Sequence, residues 1–101
     1  MAIFRKSRKP SDVRKVLCAR QNRLRADFLQ IDSEIGLTFS GIARDATGEE
    51  RRRRMILAAQ RAFDTIMQLR KDVVLSDAEG DKLDFNLLRL KSELQFLGQI
   101  I

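Results

Sequence analysis

The sequence predicts an all-α fold: an antiparallel three-helix bundle of helical hairpins with a long first helix, expected to dimerise. Three observations point to it. The 101 residues include one proline and 5 glycines, and Leu, Arg, Ala, Lys, Glu and Gln dominate, all good helix formers. The balance of 44% hydrophobic and 34% charged residues suits amphipathic helices and is too apolar for a disordered chain. Apolar residues recur at alternating +4 and +3 spacing in three segments, the period of a helix face.

Residues 1–10 read as a basic, flexible tail carrying Arg5, Lys6, Arg8 and Lys9 and closed by Pro10. Residues 11–101 read as a single helical domain with helices at about 11–46, 48–73 and 77–98. Ser11 is placed to N-cap the first helix, with Asp12 near the positive end of its dipole. Leu17, Leu24, Ile31 and Thr38 form one heptad series of that helix, and Gln21, Phe28, Ile35 and Ile42 the other. Together they form a seam for packing on other helices, widened by Val13, Val16 and Phe39. Gly36 and Gly41 weaken its last third and mark either a kink or the close approach of another helix.

Thr47 and Glu50 have capping-box spacing ahead of the second helix. Its stripe of Met55, Ala59, Ala62, Ile66, Leu69 and Val73, with Ile56 and Phe63 alongside, is broad enough to touch two neighbours. A second capping box, Ser76 to Glu79, opens the third helix. The third seam is the cleanest: Leu83, Leu87, Leu90, Leu94, Leu97 and Ile101, flanked by Phe85, Leu88 and Ile100. Gly98 is positioned to end the last turn.

Joints this short make successive helices antiparallel neighbours. At ~1.5 Å per residue the first helix spans roughly 54 Å and the others roughly 36 Å, so its residues 11–22 extend past its partners. An apolar seam left projecting needs a cover. That makes a homo-oligomer, a dimer first of all, the expected partner, through an interface of Val13, Val16, Leu17, Leu24 and Phe28. Cys18 lies beside this seam and reads as a small buried hydrophobe, or as a reactive or dimer-bridging thiol.

Composition removes several activities. With no His and a single Cys there is no catalytic triad and no conventional His/Cys zinc site. One Cys forms no internal disulfide, which favours a reducing, cytoplasmic setting. No apolar run approaches the ~18 residues of a membrane span. The basic N-terminus lacks the apolar core of a secretory signal, although its lack of acids also fits a mitochondrial transit peptide. The acidic run Asp77, Glu79, Asp81, Asp84 fails as a calcium loop, because Lys82 stands where Gly is needed and Leu88 where Glu is needed. No Gly-rich phosphate loop is present, and no enzyme activity, cofactor or metal is expected.

The net charge of +6 raises a nucleic-acid alternative. By segment the balance is +8 over residues 1–25, −3 over 26–48, +4 over 49–71 and −3 over 72–101. In that alternative, phosphates bind through residues 5–25 and 51–54, with Arg5, Lys6, Arg8, Lys9, Arg51 and Arg54 as contacts. Two points weaken it. Four successive arginines step by about 100° each and surround their helix. All six aromatics are Phe, and Phe28, Phe39, Phe63 and Phe85 read as core, leaving no stacking platform. The acidic start of the third helix is expected to face Arg20, Arg23 and Arg25.

The blocks Leu37-Thr38-Phe39-Ser40-Gly41-Ile42-Ala43, Ala62-Phe63-Asp64-Thr65-Ile66 and Leu90-Lys91-Ser92-Glu93-Leu94 with Leu97-Gly98 resemble a group of small bacterial helical proteins with no assigned activity. The resemblance spans about residues 28–98 and implies a compact helical protein; it transfers no catalytic or binding residue. The function expected is a non-enzymatic module for self-association or for binding another protein.

Overall fold

The computed structural model describes residues 10–101, with side chains from residue 13 onward. Three helices follow one another: α1 (Pro10–Asp45), α2 (Glu49–Leu69) and α3 (Asp77–Phe96). The tail expected over residues 1–10 lies, but for Pro10, outside the described residues. Contacts link α1 to both other helices, while α2 and α3 touch each other least. The result is a slender bundle of 64 × 25 × 17 Å with α1 as the shared spine.

The spine runs unbroken through Gly36 and Gly41. It is already helical at Pro10, so Ser11 lies inside the helix and is not its cap. A Cβ added at Gly36 would stand 2.8 Å from Leu90 Cδ2 and 3.3 Å from Ala62 Cβ. Gly36 is thus where α2 and α3 both close on α1. At Gly41 nothing lies within 4 Å.

Gly48, not Thr47, is the N-cap of α2, and no side chain caps it. The first bond of the helix, from Arg52 N–H to Gly48 C=O at 3.0 Å, sets that frame. Thr47 and Glu50 therefore fall one residue out of capping-box register. Glu49 and Glu50 still place carboxylates at the positive end of the dipole. The helix closes earlier than residue 73. Its end tightens to a 3-10 turn at Arg70–Asp72, and Val73 is extended at φ −119°, ψ 132°.

The second capping box forms as its spacing requires. Ser76 Oγ accepts from Glu79 N–H at 3.2 Å, and Glu79 Oε1 accepts from Ser76 N–H at 3.0 Å. At the far end Gly98 adopts φ 95°, Gln99 N–H donates to Leu94 C=O and Gly98 N–H to Gln95 C=O, the paired bonds of a Schellman stop.

The core joins unlike surfaces. From α2 come Ile56, Ala59, Ala62, Phe63 and Ile66, and from α3 Leu83, Leu87, Leu90 and Leu94, with Leu97 just beyond its end. The matching face of α1 is Ala26, Leu29, Ser33, Gly36, Ser40 and Ala43, all buried and mostly small. Large side chains of the shorter helices thus fill the space that small residues on the spine leave open, and helix separation shrinks with the side chains at the contact. The buried hydroxyls are satisfied locally. Ser33 donates to Gln30 C=O at 2.7 Å and Ser40 to Leu37 C=O at 2.8 Å, while the buried Asn86 amide donates to Ser33 Oγ at 3.0 Å.

Polar contacts set the alignment along the spine. Asn22 holds the backbone of Val74 from both sides, donating to its C=O at 2.9 Å and accepting from its N–H at 2.7 Å. Arg23 pairs with Glu79, Lys82 approaches Glu34 at 3.8 Å, and Arg44 pairs with Glu93. From Val13 to Gln21 every residue of α1 is exposed.

Candidate interaction surface

The buried and apolar faces of α1 are different faces. Buried positions 26, 29, 33, 36, 40 and 43 and apolar positions 17, 24, 28, 31 and 35 both alternate by +3, +4 and 7, but at ~100° per residue their mean directions differ by roughly 140°. The seam expected to pack within the bundle therefore points away from it. Leu17 is 56% exposed, Leu24 64%, Phe28 45%, Ile31 55% and Ile35 41%. The physical reason is fit. A face built of Ala, Ser and Gly lets α2 and α3 approach closely and bury their own large side chains, which a face of Leu, Phe and Ile would hold apart.

Of the expected interface residues, Val13, Leu17, Leu24 and Phe28 share this seam, and Val16, also exposed, stands beside it. Ile31 and Ile35 belong to it as well, although hydrophobic spacing alone places them in the bundle. The signal that separates them is the second heptad series of small residues on the same helix. Cys18, expected as a small buried hydrophobe, is exposed, since no other described element covers it. Two of the four phenylalanines read as core are corrected in the same way: Phe28 is half-exposed and Phe85 is 61% exposed, whereas Phe63 is buried and Phe39 packs partly against the core.

A smaller apolar surface lies on α3, where Phe85, Leu88 and Phe96 are exposed. The Arg44 guanidinium sits 4.6 Å from the Phe96 ring centre and that of Arg89 5.9 Å from Phe85, so these rings are partly covered by cations.

The two described candidate phosphate contacts border different grooves. Arg51 borders a shallow groove with Thr38, Gly41, Ile42 and Asp45, while Arg54 borders another with Arg53, Leu57, Gln60 and Gln99. Arg5, Lys6, Arg8 and Lys9 lie outside the described residues. The expected meeting of the acidic start of α3 with α1 is made by Arg23 and Glu79, while Asp84 pairs instead with Arg70 at 2.7 Å. The Arg23 hydrogen bond, aided by the Ser76 backbone, lowers the Glu79 carboxyl to about 2. Partial burial raises Asp32, on the flank of the seam.

Among the described residues no three His, Cys, Asp or Glu side chains gather to hold a metal ion, and no helix is long and apolar enough to cross a membrane. The chain matches no protein-family model, no curated protein and no solved structure. What the geometry offers is an exposed apolar seam on a rigid helix, a surface suited to holding another helix.

Proposed function

We propose that the chain is a non-enzymatic association module that joins a second copy of itself through the apolar seam of α1. One observation carries this reading. Five large apolar side chains from Leu17 to Ile35 stand exposed at coiled-coil spacing on a continuous helix whose core contacts are made by the opposite face. A contiguous apolar strip of this kind marks an interaction site.

The reading takes the three helices as an up-down-up set of antiparallel hairpins. The order of contacts supports it, since Glu79 meets Arg23, Asn86 meets Ser33 and Glu93 meets Arg44. The joints then lie at the ends of the bundle, and the seam stays clear along its whole length.

Sedimentation velocity and light scattering at tens of micromolar test the proposal. A dimer that becomes monomeric in Leu24→Asp or Phe28→Asp, with helix content unchanged, is the expected result. A wild-type monomer at those concentrations overturns it.

A further inference from the structure

Resting on that self-association reading, we infer that the second copy lies antiparallel on α1, with Leu24 of each copy opposite Phe28 of the other. The charges beside the seam carry the inference. Arg20, Asp27 and Glu34 run along one flank, Asp27 also pairing with Arg23 at 3.0 Å and Glu34 lying 3.8 Å from Lys82, and Cys18, Arg25 and Asp32 run along the other. The flanking charges are divided along the helix. Those up to residue 25 are basic, and those from residue 27 to residue 34 are acidic.

In a parallel pair each flank residue meets the opposite flank of its partner five positions on. Arg20 then meets Arg25 and Asp27 meets Asp32, like charges in every pair. In an antiparallel pair the basic half of one copy lies against the acidic half of the other, which suppresses the parallel arrangement and favours this one.

With Leu24 opposite Phe28, Leu17 falls opposite Ile35 and Gln21 opposite Ile31, so all five exposed apolar residues are covered. Arg20 then faces Glu34 twice by symmetry, and only at the centre do Arg25 and Asp27 each meet their own copies. These five side chains expose on the order of 500 Å² per copy, so pairing them buries at most about 1,000 Å² in total, the lower edge of a specific interface. A shift by one heptad toward the N-terminus would set Ile31 against Arg14, leaving it poorly covered.

The exposed Cys18, the chain's one cysteine, is a built-in probe of orientation. A nitroxide attached there reports the distance between copies by pulsed dipolar spectroscopy. In the antiparallel register the two labels are offset by about 24 Å along the axis, whereas a parallel pair brings them level at roughly 10 Å. A distribution centred near 25–35 Å is expected once label length is included. A distance below about 20 Å, or ready formation of a Cys18–Cys18 disulfide, overturns the orientation and leaves self-association standing. A sample that sedimentation shows to be monomeric overturns both.

Charge reversal gives an independent answer of opposite sign for the two orientations. Arg20→Glu is expected to weaken the dimer by about 5- to 20-fold, and Arg20→Glu combined with Glu34→Arg to recover most of the loss. Tighter dimerisation by Arg20→Glu alone would indicate the parallel pair and refute the inference.

Discussion

The two faces of α1 have the same periodicity and opposite fates. One is made of Ala26, Leu29, Ser33, Gly36, Ser40 and Ala43 and is buried; the other, of Leu17, Leu24, Phe28, Ile31 and Ile35, is exposed. Hydrophobicity alone would bury the second. The difference teaches that a spine is buried where it admits its neighbours, and that most of the large residues supplying the burial come from the other side, Leu29 being the spine's own. Leu90 and Ala62 close on Gly36 because that position has no side chain.

Substituting one residue from each side of this comparison should give the largest effect. Leu90 is fully buried against the small face, and Leu90→Ala removes its side chain where the surrounding helices collapse poorly. The expected loss is about 2–5 kcal/mol, read from denaturant unfolding. Leu24→Asp, at a concentration where the wild type is monomeric, should unfold within ~0.5 kcal/mol of it while losing the dimer at higher concentration. Equal destabilisation by the two variants would break the distinction between the faces.

The glycines sharpen it. Gly36→Val forces two methyl groups into the space held by Leu90 and Ala62 and should cost about 1–3 kcal/mol by overpacking. Gly41 has open space around it, so Gly41→Ala should stabilise by up to ~1 kcal/mol through helix propensity. Thermal melts of both variants give the two signs directly. A neutral Gly36→Val would mean that the small face does not control the approach of α3.

The same contrast explains what could be read in advance. The core faces of α2 and α3 were legible, because Ile56, Phe63 and Ile66 and the leucines from Leu83 to Leu97 are themselves the large buried residues. Helix α1 was legible in extent, but its continuity was not, because Gly36 and Gly41 allow either a kink or a close approach. Its faces were not, because the value of Ser33, Gly36 and Ser40 lies in what they let in, and hydropathy measures only what a side chain brings. The capping boxes divide similarly. Ser76 and Glu79 exchange both bonds, while the glycine after Thr47 takes the cap and shifts the frame. Exposure of the interface residues followed from helix lengths for Val13 to Leu17, but for Leu24 and Phe28 it required knowing which face the bundle takes.

A smaller effect is expected at the caps that hold the short helices on the spine. Ser76→Ala should cost about 1 kcal/mol, since Glu79 N–H loses its acceptor at the start of α3. Thr47→Ala should stay within ~0.5 kcal/mol, because Thr47 caps nothing. Urea midpoints of the two variants compare them, and equal losses would contradict the assignment of Gly48 as the cap of α2.

The smallest expected effect is an acid limb at the border between the covered and uncovered parts of α1. Glu79 reaches back from the start of α3 to Arg23, and that hydrogen bond, first among the causes, lowers its carboxyl from the ordinary 4.5 to about 2. A carboxyl depressed on folding binds fewer protons in the folded chain. Its contribution is therefore present above 4.5 and is lost as pH falls through 4.5 toward 2. Asp32 acts in the opposite sense. Burial raises it above 3.8, so its contribution is complete below 3.8 and fades as pH rises through the raised value. Melting temperatures followed down the acid range should fall less steeply in Glu79→Gln than in the wild type, with the two curves converging as pH approaches 2. Asp32→Asn should melt higher than the wild type at neutral pH and lose that advantage in acid. Parallel curves for Glu79→Gln and the wild type would show that the Arg23 contact does not hold α3 to the spine, and that packing on the small face alone marks where the covered part of α1 begins.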